Sequence, residues 1–323
     1  MSDAGHEHAC CAPGRGTAPS SAAGRDGAHV RSAGPAPELM ALSGGTFAMG
    51  SEDPLAYPVD GEGPVHSVDV EPFGIAPCAV TNAQFAAFVA ATGHVTDAER
   101  WGWSFVFEGL LPPAFPPTRA VAQAPWWRQV HGAMWNRPEG PQSNLDGRSV
   151  HPVVHVSHND AAAYCEWVGA RLPTEAEWEF AARGGLHGCT FPWGDELEPA
   201  GEHRMNVWQG DFPARNTAAD GFLGTAPVDA FPPNGYELHN MTGNVWEWTA
   251  DWFDRNWYRS APAGSPLGPE SGSLRVTRGG SYICHESYCR RYRVSARSAN
   301  LPDDATGNIG FRVAGPQAVR GST

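Results

Sequence analysis

The chain has 323 residues, 41% of them hydrophobic and 13 of them tryptophan, enough apolar material for one large domain or two ordinary ones. Its 22 basic residues stand against 35 acidic ones, a formal net charge of −13, which excludes the basic footprint that nucleic acid or an anionic membrane surface would require. Every basic residue is arginine, so a phosphate-binding loop built on lysine, a pyridoxal Schiff base and a lysine nucleophile are excluded as well.

Residues 1–37 are mostly Gly, Ala, Ser, Pro and Arg, too poor in large apolar side chains to offset the entropy of ordering, and read as a disordered tail. His6, His8, Cys10 and Cys11 within it are either a small metal-binding cluster that could carry copper or an incidental terminus. The first residues contain no apolar core of signal-peptide length, and no later run is long and apolar enough to span a bilayer. The cysteines, at 10, 11, 78, 165, 189, 284 and 289, are odd in number and scattered. Both features lead to the expectation of a reducing, cytoplasmic setting.

The domain begins at Leu39, where Leu39–Leu42 and Gly44–Ser51 read as two strands around a tight turn, followed after an acidic loop by a strand over His66–Gly74. Thr81-Asn82-Ala83-Gln84 is a capping box that opens a helix, with Phe85, Phe88 and Val89 as its buried stripe. Residues 98–150 carry Trp101, Trp103, Trp126, Trp127 and Trp135 among prolines and glycines without a clear period. A long irregular stretch of this kind is either a binding wall or plain aromatic packing. His151–Ser157 reads as a short strand, Ser157 and Asp160 as the start of a second helix, and Thr174 with Glu177 as the capping box of a third that Gly184 stops. The glutamates at that helix start complement its dipole and are read as structural. Residues 206–252 are rich in Asn, Asp and Gly, which is turn composition first and oxygen-ligand composition second. Leu274–Val276 and Asn308–Val313 read as the last strands.

The most informative stretch is Arg278-Gly279-Gly280-Ser281-Tyr282-Ile283-Cys284-His285-Glu286-Ser287-Tyr288-Cys289-Arg290. Two cysteines five positions apart are a disulfide, two buried thiols, or a pair of soft ligands. Arg290, Arg291 and Arg293 would favour the thiolate form, and two thiolates suit Cu(I) better than zinc, which asks for four ligands.

This string, with Asn308-Ile309-Gly310-Phe311-Arg312-Val313, resembles the active-site segment of the formylglycine-generating enzymes, or sulfatase-modifying factors. Ser104–Gly109, Pro125-Trp126-Trp127 and Pro138–Pro141 resemble the same family, whereas Arg171-Leu172-Pro173-Thr174-Glu175-Ala176-Glu177-Trp178-Glu179 resembles the whole superfamily, catalytic or not, and supports the fold more than the activity; the likeness spans about residues 38–315, leaving 316–323 as a tail. It implies an irregular α+β domain of low regular secondary structure, related to the C-type lectin fold. It further implies a client that is an unfolded sulfatase segment bearing Cys-X-Pro-X-Arg, whose cysteine is oxidised by molecular oxygen to formylglycine while an external thiol supplies electrons. Cys284 and Cys289 would hold Cu(I), with the client thiolate as third ligand. Ser281, Asn308 and Trp246 match residues around the family's reactive pocket, and His285 either tunes Cys284 or is satisfied elsewhere. Two structural calcium sites are implied, one at Asn206, Val207, Asp220 and Phe222, the other at Asn240, Gly243, Val245 and Glu247. Val294 and Val313 stand where secreted relatives carry extra cysteines, so structural disulfides are not expected. A monomer is expected. Two rivals of the same fold are a non-catalytic binding module and an iron-dependent sulfoxide synthase, which would need a histidine triad.

Overall fold

The computed structural model describes residues 12–15 and 33–317. In chain order its regular elements are β1 (Met40–Leu42), β2 (Gly45–Met49), β3 (His66–Val70), β4 (Phe73–Ile75), α1 (Asn82–Thr92), α2 (Asp97–Trp101), β5 (Trp103–Phe107), β6 (Ala120–Val121), β7 (Ala124–His131), α3 (His158–Val168) and α4 (Glu175–Ala182). They continue with β8 (Gly210–Asp211), β9 (Arg215–Asn216), β10 (Trp246–Trp252), α5 (Trp257–Ser260), β11 (Arg275–Arg278), β12 (Arg297–Asn300), β13 (Ile309–Gly310) and β14 (Ala314–Pro316). Short strands, few helices and long connections make this the irregular α+β domain that the sequence implies. Among the described residues no helix is long and apolar enough to cross a membrane.

The three expected helices start where their caps place them. Thr81, Ser157 and Thr174 each accept from the N–H three residues on, and Gln84, Asp160 and Glu177 reach back to the cap N–H. Such a cap stabilises a helix start by about 1 kcal/mol. The stripe on α1 then meets α3: Phe88 lies 5.6 Å from Tyr164 and 5.5 Å from Trp167, ring centre to ring centre. Phe85 and Phe88 are fully buried, while Val89 sits at the edge of the same core.

Strand boundaries depart from the expectations where backbone pairing, which a single sequence does not display, decides them. β1 and β2 do not pair with each other: β1 joins β4 and β14 in one sheet, and β2 pairs with β3 in another. The run expected over His66–Gly74 breaks after Val70, before Pro72, and resumes as β4, proline having no N–H to give a ladder. His151–Ser157 forms no strand, only an isolated bridge from Pro152 to Thr81. The last expected strand shrinks to β13, with β14 beyond it. Residues 98–150, read as irregular, hold α2 and a three-stranded sheet of order β5-β7-β6.

The sheet that positions the site has the order β12-β11-β10-β13, with β10 parallel to β13 and antiparallel to β11. It is bolted to α4 through buried charge. Glu175 takes bonds from Arg278 at 3.0 Å and from Arg297 at 2.7 Å, and Glu179 pairs with both Arg183 and Arg278. Burial pushes the Glu179 carboxyl up, but Arg183 and Arg278 outweigh it and hold it below its ordinary range. The glutamates of α4 are thus structural, as their position near the helix start implies.

Candidate active site

The cysteine loop, residues 279–296, is the long connection between antiparallel β11 and β12. Its neck is pinched shut by two glycines in the left-handed region, Gly279 at φ 96° and Gly280 at φ 74°. A methyl group at 280 would stand 2.9 Å from the Arg291 carbonyl and from the Tyr292 Cα, and one at 279 would stand 3.0 Å from the Met241 carbonyl. Two limbs of one loop therefore run in contact here, and no side chain fits between them.

Beyond the neck the chain turns through Ser281-Tyr282-Ile283-Cys284, closed by the Cys284 N–H on the Ser281 carbonyl at 2.9 Å. A second turn brings the Cys289 N–H onto the His285 carbonyl at 2.8 Å. Together these turns set the two thiols 3.3 Å apart, sulfur to sulfur, with neither side chain exposed. No described cysteine is in a disulfide.

The surroundings of the pair differ from the sequence reading in one respect. The three arginines do not lend the thiols their field: Arg290 pairs with Asp53 at 3.1 Å, Arg291 with Asp60 at 3.0 Å, and Arg293 takes Glu62 in a two-pronged bond at 2.7 Å. Each positive charge is matched by a carboxylate from the acidic loop at 53–62. The Cys284 thiol is instead held well above its ordinary value, by burial first and by the adjacent Cys289 second, with the Ser281 N–H at 3.4 Å pulling the other way. Cys284 is thus a dry thiol that holds its proton, and a soft cation is what would replace that proton.

Ser281 and Asn308 come together as expected. The Asn308 amide donates to the Ser281 hydroxyl at 2.9 Å, and the Ser281 hydroxyl stands 4.0 Å from the Cys284 sulfur. Asn308 is itself oriented by the Thr306 hydroxyl, which donates to its Oδ1 at 2.6 Å. Trp246 donates its backbone N–H to the Asn308 carbonyl at 2.8 Å and shares a core cluster with both cysteines. Its buried indole N–H has no acceptor among the described residues, an arrangement that costs about 1–3 kcal/mol unless a small polar molecule answers it. His285 faces elsewhere: its Nδ1 meets the Ser287 hydroxyl at 2.8 Å, and its half-exposed ring borders the cavity.

Cys284 forms the floor of a cavity of about 240 Å³ bordered by Trp208, Tyr292, His285, Glu198 and Glu286. Beside it runs an aromatic ledge in which Phe212 stacks on Tyr288 at 4.0 Å and Trp126 meets both rings edge-on at 5.0 and 5.1 Å. Trp126, from the stretch read as either a wall or packing, joins this ledge without bordering the cavity, whereas Trp127 is wholly buried. A second cavity of about 190 Å³ lies behind Tyr282, Gly307 and His155. Thr306, the ledge residues Phe212 and Tyr288, and the carboxylates Asp53, Asp60 and Glu62 were not singled out from sequence. Three acids in one short loop opposite three arginines in another are the signal that could have found the last of these.

The two sets of calcium positions differ in their surroundings. At the first set the Asp220 carboxylate accepts from the Phe222 N–H at 3.0 Å and the Val207 N–H at 3.2 Å, which brings those three together, while the Asn206 amide donates to the Gly224 carbonyl at 2.8 Å. Burial pushes the Asp220 carboxyl up, and its two oxygens are the hard donors that a cation of the calcium type takes. At the second set Asn240 has a buried Oδ1 without a partner among the described residues, an oxygen that a cation could take. Glu247, however, is already neutralised by Arg312 at 2.7 and 2.8 Å and bonded by the Trp178 indole at 2.8 Å. Gly243 and Val245 lie in the turn before β10 with no charged group of their own. His6, His8, Cys10 and Cys11 lie outside the described residues. Among the described residues no three His, Cys, Asp or Glu side chains converge as a metal cluster, so the histidine triad of an iron-dependent sulfoxide synthase is not assembled there.

An irregular α+β domain that presents a buried thiol pair beneath an aromatic-walled cavity is the class of protein that fold and site define. Residues 27–316 match the sulfatase-modifying factor enzyme 1-like domain family. A formylglycine-generating enzyme of Thermomonospora curvata is 59% identical over 280 residues, covering 85% of this chain and 92% of that one. A Mus musculus protein named inactive C-alpha-formylglycine-generating enzyme 2 is 46% identical over 282 residues, covering 86% and 85%. The solved structure of PvdO from Pseudomonas aeruginosa superposes with a TM-score of 0.62 at 28% identity, covering 87% of this chain and 94% of that one. The chain belongs to the formylglycine-generating, or sulfatase-modifying factor, family.

Proposed function

We propose that this chain is a formylglycine-generating enzyme: with molecular oxygen and a thiol reductant it converts the cysteine of a Cys-X-Pro-X-Arg segment in an unfolded sulfatase to the aldehyde. The observation that carries the reading is the pair Cys284 and Cys289, 3.3 Å apart and fully buried beneath an open cavity. Similarity alone does not decide it, since an inactive relative aligns over much the same span.

Two soft sulfur donors 3.3 Å apart fit Cu(I). Bound there, Cu(I) would supply the one-electron chemistry that lets dioxygen act on a closed-shell thiol. The chain's own residues do the rest. Burial keeps water from the pair, and the Ser281 N–H and hydroxyl face the Cys284 sulfur, where they steady negative charge. Thr306 and Asn308 hold that hydroxyl in one orientation. The ledge of Trp126, Phe212 and Tyr288 offers flat apolar faces to a client proline, and the exposed Glu198 and Glu286 at the cavity rim suit a client arginine. Calcium at Asn206, Val207, Asp220 and Phe222 would act as a fold staple. The free state of all five described cysteines supports a reducing, cytoplasmic setting.

The test is mass spectrometry of a synthetic Cys-X-Pro-X-Arg peptide incubated with copper-loaded protein, oxygen and a thiol. Conversion of cysteine to aldehyde that disappears in both Cys284→Ser and Cys289→Ser establishes the reaction and the pair. No conversion by copper-loaded wild type overturns the reading in favour of a binding module.

A further inference from the structure

The N-terminal segment contains Cys11-Ala12-Pro13-Gly14-Arg15, and this is Cys-X-Pro-X-Arg, the client pattern of the function proposed above. We propose that Cys11 is itself a substrate of this enzyme, converted to formylglycine by a second copy of the chain. The inference rests on that proposed function.

The pattern is complete, with three fixed residues in order within five positions. With 7 cysteines, 29 prolines and 22 arginines in 323 residues, it would arise in roughly one shuffled sequence in 24, and short patterns of this kind need structural context before they carry weight. That context is present. Ala12–Arg15, the four motif residues that the structure describes, are seated on the body. The Ala12 carbonyl accepts from the Asn300 amide at 2.8 Å, Ala12 and Pro13 are buried, and the Arg15 N–H donates to Asp304 at 2.7 Å. The Arg15 guanidinium donates to the carbonyls of Asp303 and Trp103 at 2.8 and 2.9 Å and lies 4.9 Å over the Trp103 ring. This is a peptide held by its proline, its backbone and its arginine, the features that the client pattern fixes.

The seat is not the catalytic cavity. None of Asn300, Asp303, Asp304, Trp103 and Ala305 borders the cavity over Cys284 or the one behind Tyr282. A motif docked there is held outside the cavity over its own thiol pair, so we assign the pair that acts on Cys11 to another molecule. Docking also sets the rate: while Pro13 is buried and Arg15 is engaged, the second copy must wait for release. The step balances as one thiol, one dioxygen and two external thiols giving one aldehyde, one hydrogen sulfide, one disulfide and one water. The Cys11 Cβ is oxidised, its C–S bond breaks, and dioxygen takes four electrons, two of them from the external thiols.

The experiment uses the full-length protein, copper-loaded, with oxygen and a thiol, and reads the peptide released by trypsin after Arg15. A synthetic Cys-X-Pro-X-Arg peptide of unrelated flanking sequence is converted in the same tube as a standard. Expected are the aldehyde at Cys11, a rate per molecule that rises in proportion to protein concentration, and conversion of Cys284→Ser protein only when wild type is added. Cys10→Ser should convert as before, and Arg15→Ala should lose conversion at least tenfold. Asn300→Ala, which frees the Ala12 carbonyl but keeps the motif, should speed it at least twofold. Conversion of the standard with Cys11 left intact overturns the proposal and leaves the enzyme assignment standing, the segment then being a fixed strap. A concentration-independent rate overturns the transfer between copies. Failure of the standard as well overturns the assignment and the proposal together.

Discussion

The Asn308 amide donates to the Ser281 hydroxyl at 2.9 Å, and that bond ties the loop leading into β13 to the turn that carries Cys284. Asn308→Ala leaves both the Ser281 and Thr306 hydroxyls without their partner. Peptide conversion is expected to fall at least tenfold, with about 1–3 kcal/mol of stability lost and Cu(I) titration still reporting one site. Unchanged turnover would show that the orientation of Ser281 is immaterial.

Cys284→Ser and Cys289→Ser each exchange a buried soft donor for a hydroxyl. Each should abolish Cu(I) binding and turnover, while each costs about 1–3 kcal/mol for the buried hydroxyl. Anaerobic thiol counting on the folded and the denatured protein checks the ground state. Loss of both residues from the count in wild type would mean a disulfide in place of the thiol pair.

Glu179 is fully buried between Arg183 and Arg278 and also accepts the Gly50 N–H at 2.8 Å. Removing its charge in Glu179→Gln leaves Arg183 without its carboxylate and Arg278 with Glu175 alone, and breaking a buried pair from one side costs about 3–5 kcal/mol. Urea unfolding should show that loss. A change below about 1 kcal/mol would mean that water reaches the network.

His155 is fully buried between the Ser104 hydroxyl and the Pro138 carbonyl, each at 2.8 Å. Burial holds its imidazole down to about 3, against the pull of the Pro138 bond. Between about pH 6.5 and 3 the unfolded ring takes up a proton that the folded ring refuses, so the stability that His155 contributes above about pH 6.5 is lost as the pH falls. The slope is about 1.4 kcal/mol per pH unit. His155→Asn, tolerated at its φ of 59°, should flatten the decline in unfolding free energy between pH 6.5 and 4.5 by about 2–3 kcal/mol. An unaltered slope would mean that His155 is protonated in the fold.

Chelation tests the cation reading at Asp220. A ligand present at a hundred times its dissociation constant stabilises the fold by about 2.7 kcal/mol. A calcium chelator should therefore lower the melting temperature of wild type and leave that of Asp220→Ala unmoved, and an equal response in both would place calcium elsewhere or nowhere.

The sequence displayed what is local in the chain. Thr81, Ser157 and Thr174 announce their helices because a capping box is complete within four residues. The pair at 284 and 289 is legible because two tight turns need little but their own residues. What stayed hidden needs distant partners. Arg290, Arg291 and Arg293 look like a positive field until Asp53, Asp60 and Glu62, some 230 positions earlier, are folded against them. The sheet of β5, β6 and β7 went unread because its strands owe their state to pairing rather than to period. Glu247 matches a ligand position in sequence and meets Arg312 in space.

Gly280 lies four residues from one reactive sulfur and nine from the other, and the two limbs of the loop meet there at the distance of bare backbone. The two turns cut the jaws of a caliper and the glycines close its pivot, so both sulfurs ride on one short arm. Redesign of the pair for a larger or harder ion would have to recut the turns and leave the pivot closed, because no side chain fits at the glycines.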